Sequence, residues 1–347
     1  MLTCITSDIG GTNARFFLHE VFVEQRSSQL LLTKIYPSND FDSLEDVLVE
    51  FLGEKECRAN IPRFLILSIA GAPKNNTIEK FSNIKWPGIS GQKIAERFNF
   101  ENVTLLNDFA SVGYSAGTMD FGSMFRLQEA KTPSPDNYVV MGAGTGLGVV
   151  YVTKVDGRLA VVSSEGGHHF QGFSSDVERE FQLFTIDRID ELYPDKHLQY
   201  ADTEYLFCGL GLPVMYDFFY MKHNGHLPKQ RLAGQEIVAQ FGKTPIGKDC
   251  LDLYMRILGR SINVVAKTFL PRGGKFILAG IIGKVLQRVF DSDEEKFWDM
   301  ISPFVFSDES SKKSLSRIDI HVSSTDLAEH AIEGCINYLF HSLENIH

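Results

Sequence analysis

The sequence predicts an α/β protein of two domains, and three observations lead to that prediction. The chain has 347 residues, more than one hydrophobic core usually supports. Short apolar runs typical of buried strands alternate with segments of helical spacing. Each half also opens with two apolar strands joined by a glycine turn, which is a weak internal repeat.

The first half begins with a predicted meander and continues with alternating helices and strands. The predicted strands cover about 2–7, 15–23, 30–36, 64–69 and 103–106. Helical spacing covers 41–52 and 90–98, with Ser90 as the N-cap of the second helix. The strand over 103–106 delivers Asn107 and Asp108 at its carboxyl end, where open α/β sheets bind ligands.

The second half contains the strongest loop signal and then mostly helices. The loop covers 131–137, and a long core helix is predicted over 251–269. Further predicted elements are strands over 276–279 and 318–322 and a closing helix over 327–343 that returns to the first domain. We therefore expect a small domain of residues 1–108 plus about 326–347, and a large domain of residues 109–325.

Composition and charge argue against several classes of partner. The chain is 44% hydrophobic and 22% charged, as in ordinary globular proteins. Its net charge of −10 and its lack of a long Lys/Arg block argue against nucleic acid and anionic membranes. The longest apolar runs, 64–72 and 276–283, are far shorter than a membrane span, and no signal-peptide pattern opens the sequence. We therefore expect a cytoplasmic protein.

The two glycine turns are candidate phosphate-binding sites. Glycine lets backbone N–H groups converge on an anion without interference from a side chain. Neither turn matches the P-loop or the dinucleotide signature, so both of those folds are disfavoured. The residues of the turns are Ser7, Asp8, Ile9, Gly10, Gly11, Thr12 and Asn13 in the first, and Gly144, Thr145 and Gly146 in the second.

Together the turns suggest one nucleotide held between two domains, with Asp8 placed to hold Mg²⁺ directly or through water. The alternative is that each turn is a tight hairpin that uses glycine for its geometry alone.

A second group of polar residues carries the mixture of donors and acceptors that sugar hydroxyls require. It comprises Asn107 and Asp108, Glu165 and His168, and the later Glu204. Two alternatives stay open: Glu165 and His168 could form a solvated turn, and Asp108 could cap the helix that follows it. Zinc is disfavoured, since no further ligand stands at a suitable spacing and the five scattered cysteines form no Cys-x-x-Cys motif.

Taken in order, five motifs resemble those of one known family, the bacterial-type glucokinases of the hexokinase, actin and Hsp70 superfamily. The motifs are Asp8-Ile-Gly-Gly-Thr-Asn-Ala-Arg15, Leu106-Asn-Asp-Phe109, Gly142-Ala-Gly-Thr-Gly-Leu-Gly148, Glu165-Gly-Gly-His168 and Gly273-Gly-Lys-Phe-Ile277. The resemblance implies two α/β domains of the ribonuclease H-like type around a central cleft. It also implies transfer of the γ-phosphoryl group of ATP, with Mg²⁺, to the 6-hydroxyl of glucose.

The resemblance assigns roles to individual residues. Asp108 matches the catalytic base, Asn107, Glu165, His168 and Glu204 match sugar ligands, and Gly280 lies in the segment that approaches the adenosine. The chain lacks the cysteine-rich zinc loop of the related repressor and open-reading-frame sugar kinases. A broader hexose kinase, a non-catalytic sugar sensor and a chaperone-like ATPase are the alternatives, and a homodimer is one oligomeric state open to the chain.

Overall fold

The computed structural model of the chain describes residues 2–81, 84–130, 137–269 and 274–344. The chain divides into two compact units. The first contains Met1–Met119, Val155–Ser163 and Leu327–His347, and the second contains Asp120–Lys154 and Ser164–Asp326. The loop predicted over 131–137 lies almost wholly outside the described residues, as does the first glycine of the motif at 273–277.

The segment up to residue 119 forms seven strands and four helices among its described residues. The strands are β1 (Leu2–Ile9), β2 (Asn13–Phe22), β3 (Ser27–Pro37), β4 (Phe64–Ile69), β5 (Thr77–Lys80), β6 (Pro87–Ser90) and β7 (Asn102–Asn107). The helices are α1 (Leu44–Leu52), α2 (Lys55–Ala59), α3 (Gly91–Phe98) and α4 (Asp108–Ser115). Helix α1 begins later than predicted because the Ser43 hydroxyl accepts a hydrogen bond from the Asp46 amide. Ser90 precedes α3 as predicted, but its side chain makes no capping hydrogen bond.

The segment over 120–326 is mainly helical, and α13 (Leu327–Glu344) follows it. Its strands are β8 (Phe125–Gln128), β9 (Asn137–Ala143), β10 (Leu147–Val155), β11 (Arg158–Ser164), β12 (Lys275–Gly280) and β13 (Asp319–Val322). Its helices are α5 (Asp176–Leu192), α6 (Thr203–Phe207), α7 (Gly211–Asn224), α8 (Gly234–Gln240), α9 (Pro245–Phe269), α10 (Ile281–Ser292), α11 (Glu294–Val305) and α12 (Glu309–Leu315). The apolar stripe of α9 lies in the core of the second unit, as its helical spacing predicts.

The two larger sheets have similar strand arrangements around their central hairpins. Their strand orders are β3-β2-β1-β4-β7 and β11-β10-β9-β12-β13-β8. In the first, β1 pairs antiparallel with β2 and parallel with β4. In the second, β9 pairs antiparallel with β10 and parallel with β12. Each glycine turn therefore closes the hairpin at the centre of its sheet, and the internal repeat predicted from the sequence is present in the fold.

Strand β4 is buried on both faces of the first sheet, which explains its continuous apolar run. Because side chains alternate along a strand, Leu65 and Leu67 enter one core cluster while Phe64 and Ile66 enter another. The second cluster is completed by residues of α13, including Leu339.

The first unit extends to Met119, beyond the boundary predicted at residue 108, because α4 packs along α13. The two helices approach so closely that a Cβ on Gly334 would lie 1.7 Å from the Ser111 carbonyl oxygen. The Asn337 amide nitrogen also donates to the Tyr114 carbonyl at 3.2 Å. These contacts attach α4, and the Asp108 with which it begins, to the first unit.

Candidate active site

The first glycine turn has two backbone amides that no described residue pairs with. The Gly10 amide donates to the Asn13 carbonyl at 3.0 Å, and the Ser38 amide donates to the Thr12 carbonyl at 2.9 Å. Within the described ranges, the amides of Gly11 and Thr12 have no hydrogen-bond partner. Thr12 is exposed, so this pair of donors is available to an anion from outside.

The strand before this turn contributes buried side chains. Ile9 is 1% exposed and packs in the core, so only its backbone is available to a ligand. The Ser7 hydroxyl is buried and has no hydrogen-bond partner among the residues that the structure describes. Asp8 pairs across the hairpin with Arg15, whose Nη1 lies 2.6 Å from Asp8 Oδ2. Oδ1 of Asp8 has no partner in the part of the chain that the structure describes.

The second glycine turn has the same design. The Gly144 amide donates across the turn to the Gly146 carbonyl at 2.9 Å. The Leu147 amide donates to Oε2 of Glu204, also at 2.9 Å. The amides of Thr145 and Gly146 have no partner among the described residues, and Thr145 is exposed. Both turns thus present two adjacent free donors, which is the feature that a phosphate-binding loop requires.

Two further glycines let other segments lie directly against the second turn. A Cβ on Gly167 would lie 1.7 Å from the Leu147 carbonyl oxygen. A Cβ on Gly209, at the turn before α7, would lie 2.5 Å from the Thr145 carbonyl oxygen. Real Cβ atoms do not approach backbone oxygens so closely, so both positions require glycine. The second turn is therefore fixed from two sides by backbone contacts.

In the second unit, the residues that the sequence suggests as sugar ligands lie around His168. Nδ1 of His168 lies 2.8 Å from Oδ2 of Asp202, while Nε2 lies 3.9 Å from Glu165 Oε2 and 3.8 Å from Glu204 Oε2. The structure thus brings together Glu165, His168 and Glu204, which the sequence places on separate segments. It adds Asp202, which was not predicted from the sequence. The sequence signal at this position is that Asp is a favoured N-cap residue, and Asp202 does cap α6.

The carboxylates around His168 determine its charge. Burial alone would lower the pKa of His168, but the hydrogen bond to Asp202 and the charges of Glu204, Asp202 and Glu165 outweigh burial and raise the pKa. The neighbouring His169 differs, because burial lowers the pKa of its imidazole while its Nδ1 contacts the Gly166 carbonyl oxygen. The protonated form is therefore favoured at His168 and disfavoured at His169.

In the first unit, Asn107 and not Asp108 caps helix α4. Oδ1 of Asn107 accepts a hydrogen bond from the Ala110 amide at 3.0 Å. Its Nδ2 donates to the Gly71 carbonyl at 2.8 Å and to Asp108 Oδ1 at 3.0 Å. Asp108 is the first residue of the helix, and its Oδ1 also accepts from the Phe109 amide at 2.9 Å. The carboxylate is thus held in one orientation by its two neighbours.

Gly280 forms the turn between β12 and α10. Its φ of 68° and ψ of −137° are accessible to glycine and strongly disfavoured for residues that carry a Cβ. Ala279 before it is fully buried in the sheet. The backbone conformation therefore requires glycine at position 280, independently of any ligand.

The described ranges contain neither a metal-binding cluster nor a membrane-spanning helix. No group of three or more His, Cys, Asp and Glu side chains is placed to hold a metal ion. No helix among these residues combines the length and the apolar character needed to cross a membrane.

Comparison with known proteins then identifies the family. A family model described as Glucokinase matches residues 5–300. The chain belongs to the glucokinase family. A glucokinase of Trichormus variabilis is 30% identical over 319 residues, which cover 84% of this chain and 88% of that protein.

Solved glucokinase structures have the same fold. A glucokinase from an Antarctic psychrotroph matches with a TM-score of 0.72 and 24% identity, covering 98% of this chain and 99% of that one. A Balamuthia mandrillaris glucokinase, solved in complex with glucose, matches with a TM-score of 0.74 and 17% identity over 96% of this chain and 93% of that one. The predicted hexokinase-like and actin-like α/β fold of this glucokinase-family chain is confirmed.

Proposed function

We propose that this member of the glucokinase family transfers the γ-phosphoryl group of ATP to the 6-hydroxyl of glucose. The products are glucose 6-phosphate and ADP, as in the first step of glycolysis. One observation carries the proposal: the second turn offers two free amides to an anion and is bonded through Leu147 to Glu204 of the sugar-type cluster. In this proposal the phosphate site and the sugar site are adjacent within one unit.

We assign Glu165, His168, Glu204, Asn107 and Asp108 as ligands of the sugar hydroxyls. Each carboxylate accepts hydrogen bonds from hydroxyls, and His168 with a proton on Nε2 donates one. Once a bound sugar shields these acceptors from water, leaving one of them unpaired is costly, so a site of this kind discriminates strongly among sugars that lack or invert a hydroxyl. Glucose is expected to be preferred over galactose and fructose.

Asp108 acts as the general base in this proposal. It accepts the proton from the 6-hydroxyl as that oxygen attacks the γ-phosphorus, a contribution of about 10²–10⁴-fold for a well-placed base. Phosphoryl transfer otherwise depends on in-line positioning and on stabilising charge on the equatorial oxygens. The free amides of Gly11, Thr12, Thr145 and Gly146 supply donors for those phosphate oxygens. Gly280 is assigned to the adenosine side.

The residues fit a magnesium ion that arrives with the nucleotide. Mg²⁺ typically takes one or two carboxylates and obtains its other ligands from phosphates and water. Asp8 offers one such carboxylate, since Arg15 occupies Oδ2 and leaves Oδ1 for the ion or its water. When bound, Mg²⁺ would neutralise charge on the β- and γ-phosphates. Arg15 fixes the orientation of Asp8 for this role.

A coupled assay of ADP release, with a panel of hexoses and with or without Mg²⁺, tests the proposal. We expect Mg²⁺-dependent turnover with glucose, at a kcat/KM well above that for galactose or fructose. Equal kcat/KM for the three sugars would replace the proposal with a broad hexose kinase. Sugar binding with no ADP release would indicate a non-catalytic sugar sensor. The proposed location is the cytoplasm, and sedimentation of the purified protein decides between monomer and homodimer.

A further inference from the structure

The two oxygens of the Glu204 carboxylate have different surroundings. Oε2 accepts the Leu147 amide at 2.9 Å and lies 3.8 Å from His168 Nε2. Oε1 has no hydrogen-bond partner within the described ranges, and the side chain is 24% exposed. One oxygen is thus engaged with the glycine turn, while the other is available to a ligand.

Gly146 makes this contact sterically feasible. A Cβ at position 146 would lie 2.5 Å from Glu204 Oε2, well inside contact distance. The glycine therefore serves two purposes, since it keeps the turn open to an anion and seats the carboxylate against the turn. The Leu147 amide would otherwise be a third free donor beside those of Thr145 and Gly146.

Glu165 provides a contrast within the same cluster. Its side chain is 85% exposed, and its carboxylate lies 3.9 Å from His168 Nε2. No hydrogen bond joins it to the turn among the described residues. The two glutamates that we assign to the sugar therefore differ, because only Glu204 also contacts the glycine turn.

We propose that Glu204 is a positioning residue for the phosphate-binding turn, in addition to being a ligand of the sugar, and that it couples the binding of the two substrates. This inference rests on the proposed function. A hydrogen bond from an amide to a charged carboxylate is stronger than one between neutral groups, so it holds the Thr145 and Gly146 amides in one orientation. A sugar hydroxyl on Oε1 restrains the same carboxylate. Glucose should then tighten nucleotide binding, and by linkage nucleotide should tighten glucose binding by the same factor.

Electrostatic repulsion by Glu204 would have the opposite effect on nucleotide affinity. The negative charge of Glu204 repels nucleotide phosphates, so a purely electrostatic role would make every variant that removes the charge bind nucleotide more tightly. Two substitutions separate these effects. Glu204→Asp keeps the charge but is one methylene too short to reach the Leu147 amide, whereas Glu204→Gln keeps the length and an acceptor oxygen but loses the charge.

The experiment is calorimetric titration of a non-hydrolysable ATP analogue with Mg²⁺ into the whole chain, first without glucose. We expect E204D to raise the Kd of the analogue about tenfold or more, the range for loss of one charge-assisted hydrogen bond. E204Q should retain more affinity than E204D. The matched control E165D should stay within about twofold of the unmutated chain, although it too should weaken glucose binding. Saturating glucose should lower the Kd in the unmutated chain more than in E204D.

Thermal unfolding of each variant confirms that the comparison is made on folded protein, and neither substitution removes the side chain's bulk. The inference is wrong if E204D binds the analogue as the unmutated chain does, if E204Q loses as much affinity as E204D, or if either binds more tightly. Failure of the proposed function is distinguishable, because the unmutated chain would then neither bind the analogue nor phosphorylate glucose.

Discussion

His168 donates a hydrogen bond through Nδ1 to the Asp202 carboxylate, across 2.8 Å and 34 residues of sequence. An ionised carboxylate only accepts, so Asp202 places a proton on Nδ1 and leaves Nε2 as the nitrogen that faces Glu165 and Glu204. Whether Nε2 donates to a ligand or accepts from one then depends on a single further proton. The surrounding carboxylates favour that proton, because they raise the pKa of His168.

Replacing Asp202 with Asn should shift the pH dependence of glucose binding. The raised pKa means that the protonated form stabilises the folded state below the ordinary value of 6.5 and loses that effect as pH rises through the higher folded value. Because protonated His168 is the proposed donor to a sugar hydroxyl, the KM for glucose should rise as pH rises and His168 loses its proton. D202N removes one of the charges that raise the pKa of His168, so this rise in KM should occur at a lower pH. Steady-state kinetics across the neutral pH range measure the KM for glucose, and NMR titration measures the pKa of His168.

Asp249→Asn provides the control, since Asp249 lies 2.7 Å from Nε2 of the partly exposed His223. D249N removes a similar His–Asp contact from outside the proposed site and should leave the profile unchanged. A D202N profile that coincides with that of the unmutated protein would refute the role of Asp202.

Asp108→Asn should abolish most turnover and leave stability nearly intact. The amide cannot accept the proton, so kcat should fall by about two orders of magnitude or more, with a much smaller change in glucose affinity. Because Asn107 caps α4, loss of the Asp108 charge should cost little stability. The control Asn107→Ala should instead lower stability by about 1 kcal/mol through loss of the cap. Near-normal turnover by D108N in the coupled assay would exclude Asp108 as the base.

Gly209→Ala should disturb the second glycine turn without touching any proposed ligand. The new methyl would lie 2.5 Å from the Thr145 carbonyl oxygen, so the turn must move. We expect a higher KM for ATP, a smaller effect on glucose, and a loss of about 1–3 kcal/mol of stability from overpacking. Gly172→Ala is the matched control, because a Cβ there meets nothing within 4 Å. Equal ATP kinetics in the two variants would contradict this assignment.

Asp217→Ala should destabilise the second unit strongly. Asp217 is fully buried, and its Oδ2 accepts hydrogen bonds from Nε and Nη2 of Arg188, both at 3.1 Å. Removing the carboxylate leaves a largely buried guanidinium without this partner, a change that typically costs about 3–5 kcal/mol. Glu180→Ala breaks the exposed pair with Lys222 and should cost about 1 kcal/mol or less. Urea unfolding of both variants measures the two losses of stability. Similar unfolding midpoints would contradict the prediction.

The strands of the two glycine-turn hairpins, strands β3, β4, β7, β12 and β13, and the glycine turns themselves were predictable because their signals are local, whereas β5, β6, β8 and β11 were not predicted. Strand β4 is almost entirely apolar, and each turn places glycines between two largely apolar strands. The long helix α9 follows from its stripe of apolar residues, although it begins at Pro245 instead of residue 251. Helix α5 was not predicted, since its buried residues stand among many charged ones.

Site details that depend on tertiary contacts were beyond the sequence. Asn107 and Asp108 are both good N-cap residues, and only the structure shows which of them caps α4. Asp202 reaches His168 only because α6 starts beside the motif at 165–168. The contact of Glu204 with Leu147 likewise joins residues 57 positions apart. Such pairings follow from packing, which no single-sequence pattern encodes.

The return of α13 to the first unit has a consequence for protein synthesis. One of that unit's core clusters joins Cys4, Phe64 and Ile66 to Cys335 and Leu339, so half of its members are made long after the other half. Residues 120–326 are made in between, which takes about 10–40 s at roughly 5–20 residues per second. During that interval the nascent first unit exposes an apolar sheet face, the kind of surface that chaperones bind, while the second unit is still emerging.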